Sequence, residues 1–312
     1  MKKILTQKIK QTFQFDSTSA ICKYLAVETS LFEEAVNHAE ICYSPMLLLK
    51  KNKVDYRTIH APTEKLKMVQ RVVLDSFISK TPLPTFVYGY GQNKTIIDNA
   101  KAHQGNKFLL NVDIKDFFPS VHYKKVQKIF RELGFTADQS LMLTRLTTLK
   151  KCLPQGAPTS PYLSALAINS LDNRIWALCK KNRLTYTRYF DDISISGSKR
   201  AHEIFEKLSA IAVSEGYKLH TAGDKVQFYR PGDVKSITGI LILEDGSLSV
   251  EGKEELSDYI ITLAQTGVSF LEAENLLKEK QVLYGKVDFI SQVDPPLGAN
   301  MKILLDSVEW LI

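Results

Sequence analysis

The chain has 312 residues, 44% hydrophobic and 24% charged; this ordinary globular usage excludes a disordered or fibrous chain, and the length suits roughly two domain-sized units. No stretch reaches about 18 uninterrupted apolar residues, which excludes a membrane-spanning helix. The formal charge of +7 is uneven: residues 244–312 hold five basic and thirteen acidic side chains, a net of −8, leaving +15 on residues 1–243 and pointing that part at a polyanion.

The opening MKKILTQKIKQTFQF starts like an export signal, but Gln7, Lys8, Lys10 and Gln11 interrupt its apolar stretch, so no export is expected. Cys22, Cys42, Cys152 and Cys179 stand far apart without a C-x-x-C pair and read as reduced thiols of a cytoplasmic protein. Residues 1–50 read as short helices, with Ser17 or Ser19 capping a segment through Tyr24 and helical apolar spacing from Val27 to Ala39. Residues 51–59 look extended. Pro62 opens a helix carrying Leu66, Met68, Val69, Val72 and Val73, which Pro82 and Pro84 end. Residues 108–114 read as a buried strand running into Asp113. Helices follow at 123–133 and 137–149. One long helix then starts with Ser160 as N-cap and Pro161 as first residue, and runs through Leu163, Leu166, Ala167, Leu171, Ile175 and Leu178. Two alternating runs around Phe190-Asp191-Asp192 predict a β-hairpin. A helix over about 202–214, strands near 217–220, 226–229 and 237–243, and mostly helix over 251–312 complete an α+β or α/β pattern.

Asp113 ends one apolar strand, and Asp191-Asp192 stand at a hairpin tip 78 residues later. Taken alone, two aspartates in a turn need do no more than satisfy local backbone N–H groups. Here β-forming residues on both sides hold the carboxylates at the end of paired strands. If the strand ending at Asp113 pairs beside the hairpin, two or three carboxylates converge. Such hard oxygen donors suit Mg²⁺. Two ions about 3.5–4 Å apart can activate an attacking hydroxyl and stabilise a leaving pyrophosphate.

Tyr189-Phe190-Asp191-Asp192 resembles the Y-x-D-D signature of reverse transcriptases. The segment Asn111-Val112-Asp113-Ile114-Lys115-Asp116-Phe117-Phe118 resembles their first palm carboxylate motif, and Leu153-Pro154-Gln155-Gly156-Ala157-Pro158 the loop-and-helix motif between the two. Asn99-Ala100-Lys101-Ala102-His103 is similar to the N-A-x-x-H element of bacterial retron reverse transcriptases. Ile237-Thr238-Gly239 is similar to their V-T-G element, and the stretch from Leu283 to Pro295 to their thumb. The resemblance covers residues from about 57 to 296.

It implies an α+β right-hand polymerase, with N-terminal helices and fingers over 1–105, a palm over 106–243 that includes part of the fingers at about 123–160, and a thumb over 244–312. It implies RNA-directed DNA synthesis with two Mg²⁺ ions, or Mn²⁺ in their place, held by Asp113, Asp191, Asp192 and the carbonyl of Ile114. Arg57, Lys67, Gln155, Gly156 and Lys225 would bind the incoming deoxynucleoside triphosphate. Phe118 would exclude a 2′-hydroxyl, or else serve as a plain core aromatic. Asn99, His103, Thr238 and Gly239 would serve RNA, His103 by contacting it or by fixing the fold. Implied partners are a structured non-coding RNA acting as template and primer, its branched DNA product, and an effector protein in anti-phage defence; no membrane is implied, and the acidic excess of residues 244–312 allows docking of a basic partner, an effector or a second copy of the chain, or else is a solvated face. Two departures stand out. His220 replaces a common Asn, in a segment one residue longer than usual, and Phe190 is bulkier than the usual residue between Tyr and the aspartates. Rival readings are another bacterial reverse transcriptase, of abortive-infection or maturase type, and a non-catalytic RNA-binding scaffold.

Overall fold

Two helices come first, Thr18–Leu25, capped by the Ser17 side chain on the Ala20 N–H, and Thr29–Asn37. The computed structural model describes residues 12–49, 54–90, 94–198, 201–221, 223–268 and 273–310. The stretch read as helical up to residue 50 contains a strand instead. This is β1 (Tyr43–Leu49), paired antiparallel with β2 (Tyr56–Pro62). An apolar run of that length suits either state, and Pro45 disfavours a helix interior. Pro62 closes β2, and the helix it was expected to open runs over Glu64–Val73.

Next come β3 (Val87–Tyr88), a short helix Ile96–Lys101 with a Thr95–Asp98 capping box, and β4 (Phe108–Asp113). Helices Tyr123–Glu132 and Ala137–Thr147 follow. The expected long helix is two, Ser160–Ala167 and Asn169–Lys181, with Ile168 at φ −93° and ψ −1° forming the corner. Ser160 is the first helical residue and Thr159 precedes it as N-cap. Both halves bury apolar side chains in one core, Leu163 from the first and Leu171 and Ile175 from the second.

The hairpin forms as β5 (Thr185–Tyr189) and β6 (Asp192–Gly197). Residues 217–220 do not form a strand; only Leu219 bridges to Ile114. After β7 (Val226–Tyr229), the strand expected over 237–243 is itself a hairpin, β8 (Lys235–Ile237) and β9 (Ile240–Ile242). Thr238 and Gly239 between them both take positive φ, 51° and 86°, the two-residue turn that matches strand twist. Strand β10 (Leu248–Val250) joins β9, and helices Lys253–Thr266, Ala273–Ser291 and Pro295–Asp306 close the chain. No helix among the described residues is long and apolar enough to cross a membrane.

The central sheet has the order β3-β5-β6-β4-β7, antiparallel except for β3 beside β5. Alternation along each strand splits it into two faces. Leu110, Val112, Tyr186, Ile193 and Ile195 enter a core shared with the N-terminal helices and the helices of residues 123–181. Full burial of one such aliphatic side chain is worth about 1.5–3 kcal/mol. Leu109 faces the other way, into a second core with Ile237, Ile240 and the three C-terminal helices. The side chains of Asn111, Asp113, Asp192, Ser194 and Ser196 share that second face, because a residue's neighbours across the ladder point the same way.

His103 is sealed against this face. Its ring nitrogens lie 2.6 Å from Ser196 Oγ and 2.7 Å from Thr187 Oγ1, so it bridges β6 and β5 as a neutral imidazole that donates on one side and accepts on the other. Burial pulls its pKa down to about 3. An unfolded histidine titrates near 6.5. Below that pH the unfolded chain takes a proton that the folded chain refuses, so stability falls as pH drops from about 6.5 toward about 3. In urea denaturation across that window, His103→Gln is expected to lose less stability on acidification than the wild type.

Candidate active site

Strand register brings the carboxylates together. Asp113 ends β4 directly opposite Asp192 at the start of β6, and Asp192 in turn faces Tyr189 of β5. A slip of one residue would turn Asp113 into the apolar core. Asp191 occupies the turn, where its carbonyl accepts the Ile114 N–H at 3.0 Å, so Ile114 ties the β5–β6 turn to the chain leaving β4. Burial raises the pKa of Asp191 and the charge of Asp113 raises it further, while Lys225 and Arg188 partly offset the shift.

Lys225, just before β7, places its ammonium on Asp113 Oδ2. Burial pulls the Lys225 pKa down, but the hydrogen bond to Asp113 and the charges of Asp113, Asp192 and Asp191 outweigh it, and the net shift is upward. His220 stands with Nε2 3.7 Å from Asp113 Oδ1, and its backbone N–H donates to the Asp113 carbonyl at 3.0 Å. The donor set is carboxylate oxygen, which suits Mg²⁺ or Mn²⁺ by type. Among the described residues no three His, Cys, Asp or Glu groups are gathered as a metal cage. Lys225 supplies the positive charge that Asp113 would otherwise share with a cation.

Beneath the turn lies a buried ion pair that sequence reasoning missed. Arg188, wholly buried on β5, grips Asp172 with Nε to Oδ1 at 2.8 Å and Nη2 to Oδ2 at 2.6 Å. Tyr186 donates to Asp172 Oδ1 at 2.6 Å. Nη1 of Arg188 donates to the Phe190 carbonyl at 2.6 Å. Burial alone would disfavour the guanidinium charge; Asp172 outweighs burial and keeps it. The signal was present in the chain. Arg188 occupies a core-facing position of an alternating strand, and Asp172 falls on the stripe of Ile168, Leu171 and Ile175; charges there require partners.

Phe190 itself takes φ +52°. A bulky residue rarely does so, and the bond from Arg188 holds its carbonyl. Its ring packs 4.8 Å from that of Tyr90 and 4.9 Å from that of Tyr189, centroid to centroid. Phe118 is half-buried, 5.6 Å from the ring of fully enclosed Phe117.

Gln155 and Gly156 meet the β1–β2 hairpin. The Gln155 carbonyl accepts the His60 N–H at 2.7 Å. A Cβ on Gly156 would lie 2.6 Å from the His60 carbonyl, and its φ of +127° also demands glycine. Arg57 is exposed on β2, and Lys67 pairs with Glu64 at 3.1 Å; neither forms an ion pair with Asp113 or Asp191. The elements expected to serve RNA lie apart from the carboxylates. Asn99 and His103 are 0% and 1% exposed, so direct contact with RNA is closed to both in this structure, and the hydrogen bonds of His103 fit its fold-fixing reading. Thr238 and Gly239 line a cavity of about 430 Å³ with Lys253 and Lys286, where the Thr238 hydroxyl is buried without a partner.

The pattern of the reverse transcriptase (RNA-dependent DNA polymerase) family matches residues 48–271. The chain is similar to the retron Mx162 reverse transcriptase of Myxococcus xanthus, at 29% identity over 95% of this chain and 68% of that protein. It is similar to the retron Ec86 reverse transcriptase of Escherichia coli, at 36% over 61% of this chain and 59% of that one. It is also similar to the retron Se72 reverse transcriptase of Salmonella heidelberg, at 32% over 94% and 79%. The chain belongs to the reverse transcriptase family, within its bacterial retron-type group.

Removing Arg188 alone leaves Asp172 buried and unpaired, so Arg188→Met is expected to cost about 3–5 kcal/mol in chemical denaturation. Replacing the ion pair and its tyrosine with apolar groups (Asp172→Leu, Tyr186→Phe, Arg188→Met) should recover most of that stability. The Phe190 carbonyl still lacks its donor, so nucleotide incorporation by the folded triple variant is expected to fall about tenfold or more, at least ~1.4 kcal/mol in barrier.

Proposed function

We propose that the chain is an RNA-directed DNA polymerase that copies a structured non-coding RNA into single-stranded DNA joined to that RNA at a 2′-hydroxyl, in the cytoplasm. The row Tyr189–Asp192–Asp113 with Asp191 at its edge carries the reading: clustered like charges cost free energy, and a pure RNA-binding scaffold gains nothing from them. Family membership gives the reaction class.

Asp113, Asp191 and Asp192, with the carbonyl of Ile114, would hold Mg²⁺, which when bound compensates charge on the attacking and leaving oxygens. The chain's own residues do the rest. The sheet fixes the carboxylates, Arg188 fixes the turn, and Gln155 and Gly156 with the hairpin form a wall for the incoming deoxynucleoside triphosphate. Lys225 is a cation free to pass from Asp113 to a phosphate, since its side chain is half exposed. The basic body, +15 over residues 1–243, attracts the RNA. Retron kinship supports an effector protein as partner and a role in anti-phage defence.

Nucleic acid copurifying with the wild-type protein, co-expressed with its RNA, is expected to contain DNA linked 2′–5′ to RNA. Asp191→Asn is expected to retain the RNA and its melting temperature, carry no DNA, and extend a primer at least about 100-fold more slowly, a barrier change of roughly 2.7 kcal/mol. Phe118→Ala is expected to raise ribonucleotide relative to deoxyribonucleotide incorporation in single-turnover assays; an unchanged ratio in a destabilised protein would make Phe118 a packing residue.

A further inference from the structure

Strand β4 has a second end. Lys107 precedes it, six residues from Asp113 and so roughly 20 Å away along an extended strand. There a cavity of about 250 Å³ opens between the turns that precede β4 and β8 and the one that joins β9 to β10. That is the room of roughly eight waters. Its lining includes Lys107, Lys235, Glu244, Gly105, Gly232 and Gly246.

Lys235 is the unusual member. It is 7% exposed, yet among the described residues its ammonium makes one hydrogen bond, 3.3 Å to the Asp233 carbonyl. An ammonium has three protons to donate, and a lysine this buried almost always has a counter-charge. No carboxylate of the described residues lies within ion-pair distance of Lys235 or Lys107; Glu244 is exposed at the rim and pairs with neither. The lining therefore keeps a net charge of +1. The three glycines take φ of 74°, 89° and 84°, with no atom within 4 Å of where a Cβ would stand, so bare backbone borders the space.

We propose that this cavity binds a phosphate group, with Lys235 as its buried counter-charge and Lys107 at its mouth. The chemistry is the same whether the phosphate belongs to the backbone of the bound RNA or to a small phosphorylated molecule. Only the first source rests on the polymerase reading.

Lys235→Met keeps the length and apolar stem of the side chain and removes its charge. Because the free protein then no longer buries an unpaired ammonium, its Tm is expected to hold or rise. Inorganic phosphate is expected to raise the Tm of the wild type, since a ligand of the folded state stabilises it, and to leave Lys235→Met unmoved. In RNA titrations the slope of log affinity against log salt is expected to fall by about 1 in Lys235→Met, the loss of one phosphate contact. Lys107→Gln should shift both readings in the same direction and by less. A smaller slope, with or without the phosphate shift, assigns the site to RNA backbone. A lost phosphate shift with an unchanged slope assigns it to a small phosphorylated molecule. If Lys235→Met keeps both the wild-type phosphate shift and the wild-type slope, the proposal is overturned. Primer extension on an unrelated template, expected at the wild-type rate in both variants, keeps that outcome separate from the polymerase reading.

Discussion

Asp113 faces Asp192 across one end of a sheet and feels the charge of Asp191 in the adjoining turn, and much of this structure answers that repulsion. The ladder between β4 and β6 sets Asp113 against Asp192 and cannot relax without moving a row of core side chains. Below the turn, Arg188 carries a charge that Asp172 has already neutralised, so its Nη1 is available to the Phe190 carbonyl and the Tyr90 hydroxyl. Above it, Lys225 offers Asp113 a positive charge on a half-exposed side chain. The buried pair supplies geometry and the exposed one supplies compensation, a division suited to phosphoryl transfer, where positioning and charge dominate.

The β1–β2 hairpin is held differently. Where it meets the loop before helix Ser160–Ala167, the described contacts are a backbone hydrogen bond from His60 and the close approach at Gly156. Along β1, Met46, Leu47, Leu48 and Leu49 are all exposed. The central sheet and its helices are thus built as a packed interior, and the hairpin as an arm resting on it.

Much of this was legible in the chain. The strand at Asp113 and the Tyr189–Asp192 hairpin could be read because period-two alternation and a polar turn are local signals. Asp113 and Asp192 meet as those signals anticipated. The β1 strand was not legible, since an apolar run of its length has no period of its own and its state is set by β2 across the ladder. The corner at Ile168 was hidden because apolar spacing continues through it. The turn at Thr238-Gly239 splits one expected strand in two, as a Thr-Gly within a strand commonly does. His103 stood out as a residue, but only the fold shows which hydroxyls it joins. Arg188 was visible as a charge in an alternating strand, a mismatch whose meaning depends on what lies opposite; Lys235 fell before the expected strand and drew no reading.

Sheet order has a consequence for how the chain comes into being. Strand β4 lies between β6 and β7, and both of its neighbours are made after it. Asp113 and Asp192 are 79 residues apart, and Lys225 comes later still. During synthesis the central strand therefore waits, with both edges unpaired, while the helices of residues 123–181 emerge. Long-range pairing of this kind is slow and exposes hydrophobic edges to other chains. A ribosome that stops before Lys225 releases a protein with an open sheet edge and an unfinished active centre, so the carboxylates gain their lysine and β4 its second neighbour only once β7 has been made.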